Sequence, residues 1–248
     1  MKAMILAAGL GTRLRPLTDT RPKALVEING RTLLEITLSR LRTFGIRDVI
    51  INVHHFADMI LEYLKTNADF GMHIEVSREE TLLDTGGGLK KAAHFFTADS
   101  NTLEEPFILH NVDVISTIDL PRMVQFHTEH HALATLAVQN RETSRYLLFD
   151  EQLLLCGRRL GPDQKSELVR PSEQLEALAF SGIHVISPVF LGMMSEGGSF
   201  SIITSYLRLA AHEERIFAFK ANEYYWRDLG KPKDLEQAAQ DVKQKSVL

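Results

Sequence analysis

The segment Lys2-Ala3-Met4-Ile5-Leu6-Ala7-Ala8-Gly9-Leu10-Gly11-Thr12-Arg13-Leu14-Arg15-Pro16-Leu17-Thr18, with Arg21-Pro22-Lys23 beyond it, decides how this chain is read. Residues 2–6 have the length and apolar character of a short buried strand. Small residues at Ala7, Ala8, Gly9 and Gly11 then leave the backbone open to a ligand. Amide groups in such a turn point at phosphate oxygens. Arg13, Arg15 and Lys23 add cationic charge within the same loop. A first strand that runs into a glycine-rich, cationic loop places a phosphorylated ligand, a nucleotide, at the strand's carboxyl end.

Other loops of this general type fit less well. Gly9-Leu10-Gly11-Thr12-Arg13-Leu14 overlaps the dinucleotide pattern G-x-G-x-x-G, but its last position is leucine and Pro16 interrupts the helix that should follow. The Walker pattern fails, because no Gly-Lys-Ser/Thr comes four residues on. A purely structural turn has no need of three cations.

Outward from the loop, elements alternate. Helical spacing covers Thr32 to Phe44, Phe56 to Leu64, Leu89 to Phe96 and Leu120 to His130. Between them, Val49 to Val53, Met72 to Val76, Phe107 to Leu109 and Ala132 to Val138 read as strands. This order implies an α/β fold with a mostly parallel, mixed sheet flanked by helices. After Asn140 the pattern changes. Tyr146 to Leu155 reads as a hairpin, and Phe180 to Ile186 and Ile216 to Lys220 as strands. A further short strand lies near Trp226 to Leu229. Ile202 to Ala211 and Lys233 to Val242 read as helices, and the polar stretch from Gly157 to Pro171 as a loop. No repeat or low-complexity linker divides the chain, so a single domain over residues 1–248 is expected.

Composition narrows the function. Apolar residues make up 44% of 248, enough for a full core. A net charge of -4 argues against nucleic acid as the main partner. Cys156 is the one cysteine, which fits a reducing compartment. With no apolar run near the roughly 18 residues of a membrane span, a soluble cytoplasmic protein is expected.

The run Gly9 to Thr18 with Pro22-Lys23 resembles the signature of the sugar-1-phosphate nucleotidyltransferases. The likeness continues at Asp84-Thr85-Gly86-Gly87-Gly88, Asn111-Val112-Asp113, Phe180-Ser181-Gly182-Ile183 and Trp226-Arg227-Asp228-Leu229-Gly230. It implies a Rossmann-like nucleotidyltransferase fold of the GT-A-like kind, with residues 1–140 as nucleotide-binding half and 141–248 completing the sugar and metal sites. The implied reaction joins a nucleoside triphosphate to a sugar 1-phosphate and releases pyrophosphate. The triple glycine, the short length and the missing C-terminal repeat domain look most like the N-acetylmuramate-1-phosphate uridylyltransferases of cell-wall recycling, with UTP as donor. Guanylyl transfer to mannose or heptose 1-phosphate is the alternative. A nucleotide-binding regulatory subunit without turnover is the non-enzymatic one.

The resemblance also assigns residues. Arg13 and Lys23 take catalytic roles at the phosphates. Ala8, Gly9, Gly11 and Thr12 cradle the triphosphate, and Gly86 and Gly87 receive the nucleobase. Asn111 and Gly182 contact the sugar phosphate, and Asp113 and Asp228 hold Mg²⁺. Independently of family, Asp113 follows a buried strand and so sits where α/β sheets bind ligands, and two carboxylates suit one Mg²⁺. Gly86 and Gly87 also fit a tight turn before the helix at Leu89, with Asp84 or Thr85 as its cap. The chain departs from the pattern at Ala24, where proline is usual, and at Val112, where glycine is usual. Valine avoids positive φ, so extended or helical backbone is expected there. The second lysine that many relatives place on the sugar phosphate has only Lys165 as a candidate. Its surroundings do not match, and the role is not assigned.

The histidines carry a weaker signal. His127 and His131 stand four apart beside His130, a spacing that can bind zinc. No Glu or Cys partner accompanies them, so they read as surface residues on a solvated helix face. His54 and His55 end a strand at the active edge. Cys156 reads as structural.

Overall fold

β1 (Lys2–Leu6) shows how the central sheet is covered. Ala3 and Ile5 pack into one core and Met4 into another, and all three are fully buried. That alternation is what a strand covered on both faces produces. The structure, a computed structural model, describes residues 1–98, 105–161 and 166–245.

After the loop, β2 (Glu27–Ile28) and β3 (Arg31–Thr32) form a small hairpin. Helix α1 (Leu33–Thr43) starts at Thr32, whose hydroxyl accepts the Glu35 N–H at 3.0 Å. There follow β4 (Asp48–Val53), α2 (Ala57–Thr66), β5 (His73–Arg78), α3 (Asp84–Lys91) and α4 (Ala93–Thr97). β6 (Phe107–Asn111), β7 (Val114–Ser116), α5 (Leu120–Glu129) and β8 (Ala134–Gln139) complete the first half. The second half contributes β9 (Arg145–Phe149), β10 (Leu155–Leu160), β11 (Glu167–Leu168) and β12 (Glu176–Ile186). α6 (Val189–Gly192), α7 (Ile202–Ala211), β13 (Ile216–Lys220), β14 (Trp226–Asp228) and α8 (Pro232–Lys245) end the chain's described course.

The expected α/β architecture is present. β6, β1, β4 and β5 lie side by side and parallel, and β13 runs parallel to β8. β12 joins this set antiparallel to β6 and β8, and β9, β10 and β11 add further antiparallel pairings. Helices α1, α2, α5 and α8 bury their apolar stripes against one face, and α3, α4, α6 and α7 against the other.

Two features of this topology position the site. The chain runs outward from β1 to β4 and β5, then returns to β6 on the other side of β1. The crevice at the carboxyl ends of β1 and β6 is therefore a switch point, where ligands bind in open α/β sheets. The second is a break in β12. Glu176 to Ala179 pair with β9, Ile183 to Ile186 pair with β6, and the register against β8 shifts between Phe180 and His184. Gly182 sits in that break with φ 75°. A side chain there would be strained and would also stand 2.8 Å from Asn111 Nδ2.

Three expectations need correction. The stretch from Gly157 to Pro171 is not a plain loop, since β10 continues to Leu160 and pairs with β11. Gly157 permits this, because a Cβ there would collide with the Glu167 carbonyl. Lys165 lies outside the described residues. The second correction concerns α3, which begins at Asp84 rather than Leu89, so the three glycines occupy its opening turns. The Asp84 carboxylate accepts the first-turn Thr85 N–H at 2.6 Å, while the Thr85 hydroxyl accepts the Ile202 N–H at 3.0 Å, at the start of α7. Packing explains the difference, because Gly86 and Gly87 press against Phe200 and Gly198 where any side chain would clash.

His127 is the third. It is buried, not solvated. Ser187 uses its proton on the Ala132 carbonyl, so His127 Nε2 donates to Ser187 Oγ at 2.9 Å and Nδ1 accepts from Thr135 Oγ1 at 3.0 Å. Burial lowers its pKa from 6.5 to about 4, which keeps the ring neutral. His131 lies past the helix at φ 45° and is exposed. Cys156 is fully buried, as a structural cysteine should be, and burial raises its thiol pKa to about 11.

Candidate functional site

The loop after β1 is shaped by a left-handed glycine and a short 3₁₀ turn. Gly11 adopts φ 65°, and residues Thr12–Leu14 form the turn behind it. Gly11 O accepts from the Leu14 N–H at 2.8 Å and from the buried Thr18 hydroxyl at 2.9 Å. Among the described residues no hydrogen bond engages the Gly9, Leu10 or Gly11 amide. Those donors are left without a protein partner at the mouth of the loop.

The loop is latched from below. Asn52, buried at the end of β4, accepts the Ala7 N–H at 2.8 Å and donates to Glu79 at 2.7 Å. Glu79, also buried, accepts the Leu83 N–H at 3.0 Å just before α3. One polar relay thus ties the phosphate loop to the triple-glycine helix. Gly88 makes room for it, since a Cβ there would lie 2.7 Å from Asn52 and 2.8 Å from Glu79. The sequence carried a signal here that the pattern reading passed over: Asn52 is a polar residue inside the apolar run Val49 to Val53.

A cleft of about 240 Å³ opens above this base. Gly9, Gly11, Thr12, Arg13, Lys23, Asn111 and Asp113, all expected site residues, line it, together with Thr85 and Gly230. Lys23 is buried and ion-paired with Asp113 Oδ2. Val112 keeps negative φ, as expected for valine, and its N–H donates to Leu6 O at 3.1 Å.

Asp228 joins the same place through β14. That strand pairs antiparallel with β7 so that Asp228 lies opposite Val114, and the Leu229 N–H donates to Asp113 O at 2.8 Å. Asp228 Oδ1 accepts the Gly230 N–H at 2.8 Å. Arg13 closes the ring, for a Cβ on Gly230 would lie 2.6 Å from Asp228 Oδ1 and 2.7 Å from Arg13 Nη2. Burial, and then the charge of Asp113, raise the Asp228 carboxyl above its ordinary pKa, while Lys23 and Arg13 oppose the shift. Two carboxylates held together against their repulsion form an oxygen-only donor set of the kind hard divalent cations use. Among the described residues no third His, Cys, Asp or Glu completes a cluster with them.

Some expected site residues stand back from the cleft. Ala8 is buried in the loop. The Gly86 and Gly87 amides both donate to the Phe200 carbonyl, at 2.9 and 3.3 Å. Their contribution is the close packing that holds Thr85 at the cleft. Gly182 lies behind Asn111, whose amide nitrogen a Cβ there would meet at 2.8 Å. His54 bonds the Glu79 carbonyl at 2.9 Å, and the His55 ring packs on Phe56. A larger groove of about 590 Å³ runs between Pro16-Leu17, the β2–β3 hairpin and α8. It contains none of the paired carboxylates or loop amides, so chemistry and not size identifies the site.

Residues 2–152 match the family model described as nucleotidyl transferase. The chain belongs to that family. Its relatives include a mannose-1-phosphate guanyltransferase of Yarrowia lipolytica, 31% identical over 94% of this chain and 62% of the relative. A UTP–glucose-1-phosphate uridylyltransferase of Synechocystis is 28% identical over 100% of this chain and 64% of the relative. The chain therefore spans less than two thirds of the length of these curated relatives. Solved structures share the fold. HddC from Yersinia pseudotuberculosis, complexed with GMP-PN, superposes with a TM-score of 0.75 at 21% identity, covering 97% of this chain and 99% of that one. A UDP-glucose pyrophosphorylase complexed with UDP-glucose gives a TM-score of 0.76 at 20% identity, covering 98% of each chain. Among the described residues of this family member, no helix is long and apolar enough to cross a membrane.

Proposed function

We propose that this protein transfers a nucleotidyl group from a nucleoside triphosphate to a sugar 1-phosphate and releases pyrophosphate. One observation carries the reading: the amino-terminal loop, Lys23 and Asp113, far apart in sequence, line one cleft, and Asp228 stands beside it against Gly230 and within reach of the Asp113 charge. The attacking oxygen belongs to the sugar phosphate, which is largely anionic at neutral pH, since the second pKa of a phosphomonoester is about 6. A strong general base is not required. The difficulty is to hold two polyanions in line, and catalysis is positioning with charge neutralisation.

The loop amides at Gly9 to Thr12 cradle the triphosphate. Arg13 stabilises the leaving pyrophosphate, and Lys23, poised on Asp113, meets the phosphates at the reacting centre. Asp113 and Asp228 hold Mg²⁺, which when bound supplies an electrostatic clamp on phosphate oxygens. Asn111 and Gly182 receive the sugar.

Two donor and acceptor pairs have support. The named relatives favour GTP with mannose 1-phosphate, as in the guanyltransferases of Yarrowia lipolytica and of Drosophila pseudoobscura, the latter 32% identical. The Asp84 to Gly88 segment favours UTP with N-acetylmuramate 1-phosphate. Four nucleoside triphosphates assayed against several sugar 1-phosphates, with pyrophosphate as readout and Mg²⁺ omission as control, decide between them. Nucleotide binding without pyrophosphate release from any pair would leave a regulatory subunit and remove the enzymatic reading.

A further inference from the structure

Arg141, packed on Trp226 beside the β12 break, forms no ion pair among the described residues. Arg141 lies just past β8, and its backbone N–H donates to Gln139 O at 3.1 Å. Its guanidinium carbon is 3.8 Å from the centre of the Trp226 ring, a cation–π contact. Nη2 donates to the Phe180 carbonyl at 2.7 Å. Nε is buried and, among the described residues, has no hydrogen-bond partner. The group is thus partly stripped of water but meets only a carbonyl and a ring face. An oxyanion would give such a donor a charge-assisted partner for the N–H that lacks one.

The surroundings say where that oxyanion would sit. Trp226 Nε1 donates to the Ser181 carbonyl at 2.7 Å, so both Arg141 and Trp226 grip the β12 break that contains Gly182. Trp226 and Asp228 are two apart on β14 and share one face of it. Arg141, stacked on Trp226, lies within electrostatic reach of the Asp228 carboxylate. An anion on Arg141 would therefore lie between the β12 break at Gly182 and Asp228.

We propose that Arg141 binds the 1-phosphate of the acceptor sugar and fixes its attacking oxygen, an assignment that rests on the reaction proposed above. In that step the acceptor phosphate oxygen forms a bond to the α-phosphorus as the bond from that phosphorus to pyrophosphate breaks. Arg141 remains a cation throughout and moves no proton. Its planar fork fits a phosphate better than an ammonium does.

Trp226 is the single tryptophan of the chain, so its emission reports directly on this arginine. Mannose 1-phosphate and N-acetylmuramate 1-phosphate are titrated against wild type, Arg141→Met, Arg141→Lys and Arg141→Gln, with pyrophosphate release followed in parallel. Wild type should show a saturable change with an acceptor. Arg141→Met should weaken acceptor binding by roughly 10- to 100-fold, the scale of a lost charged hydrogen bond, and leave KM for the nucleotide unchanged. Affinity should fall in the order arginine, lysine, glutamine, a ranking that stands in for the methionine variant should it not fold. Equal affinities overturn the assignment. So does a loss confined to N-acetylmuramate 1-phosphate, which would give Arg141 to that sugar's carboxylate, and so does the absence of any response in wild type. If the emission change depends on Arg141 but no pair of substrates releases pyrophosphate, the reaction falls and the anion site stands. If turnover proceeds and ignores Arg141, the reverse holds.

Discussion

The two walls of the cleft are built by different means. The wall proposed for the nucleotide comes from consecutive residues, Ala7 to Lys23, bent by one left-handed glycine and latched from beneath by Asn52 and Glu79. The wall proposed for the sugar has no such loop. Gly182, Trp226 and Asp228 arrive singly from β12 and β14, and Arg141 from the turn after β8, each positioned by strand pairing and ring packing. The first wall is a local design that pairing supports. The second exists only once the sheet has formed, so its integrity depends on the core behind it.

The strongest test of this contrast lies where the walls meet. Asp113 belongs to the first half and Asp228 to the second, and either one changed to asparagine should cut turnover by roughly 10²–10³-fold, the usual loss when one preorganised charge is removed. Both variants should remain folded, Asp113→Asn with a lowered melting temperature because it takes the counter-charge from buried Lys23. Near-normal pyrophosphate release in either variant would mean the walls do not share a metal.

A smaller effect should follow from breaking the latch. Asn52→Leu leaves the Ala7 amide and Glu79 Oε1 without partners, while Glu79 Oε2 keeps the Leu83 N–H, at about 1–3 kcal/mol for each group left unpaired. Chemical denaturation should register that loss, and KM for the nucleotide should rise while KM for the sugar phosphate holds. Equal increases for both substrates would erase the distinction between the walls.

The sugar wall should instead respond to acid through the core behind it. His127 bridges Thr135 on β8 and Ser187 just after β12 as a neutral ring. Its pKa is lower folded than unfolded, so the unfolded chain binds the proton first. Stability from this ring is complete above about 6.5 and is lost as pH falls towards about 4, by up to roughly 3 kcal/mol. Denaturation midpoints measured across that range should slope downward with acid, and His127→Gln should flatten the slope. An unchanged slope would take His127 out of the account.

Smallest is a steric change at α3. Gly87→Ala sets a methyl 2.6 Å from the Gly198 carbonyl, a backbone atom that must shift. Overpacking of that kind costs about 1–3 kcal/mol. Denaturation should show it, with weaker nucleotide binding because Thr85 moves with the helix.

The same contrast explains what could be read in advance. The loop was legible because its residues are adjacent and their chemistry is unusual: three cations among glycines. The alternation of strands and helices was legible from apolar period, and the carboxylates from motifs at strand ends. Arg141 and Asn52 were not, since each looks ordinary in its own segment and gains meaning only from neighbours 85 and 45 positions away. The glycines of α3 misled because a run of three suggests a turn, whereas here they clear space for Phe200 and Gly198. His127 misled because helix spacing alone cannot say which face a neighbouring sheet will cover.

β12 has one more consequence. Its 11 residues hydrogen-bond to β6 and β8 from the first half and to β9 from the second, so the halves are a single welded plate. A clamshell motion, one lobe swinging over the other on a hinge, would have to tear those ladders. Substrate capture is left to turns and side chains at the rim, and crystals of the free and loaded protein should superpose along this strand while Arg13 and Lys23 change position.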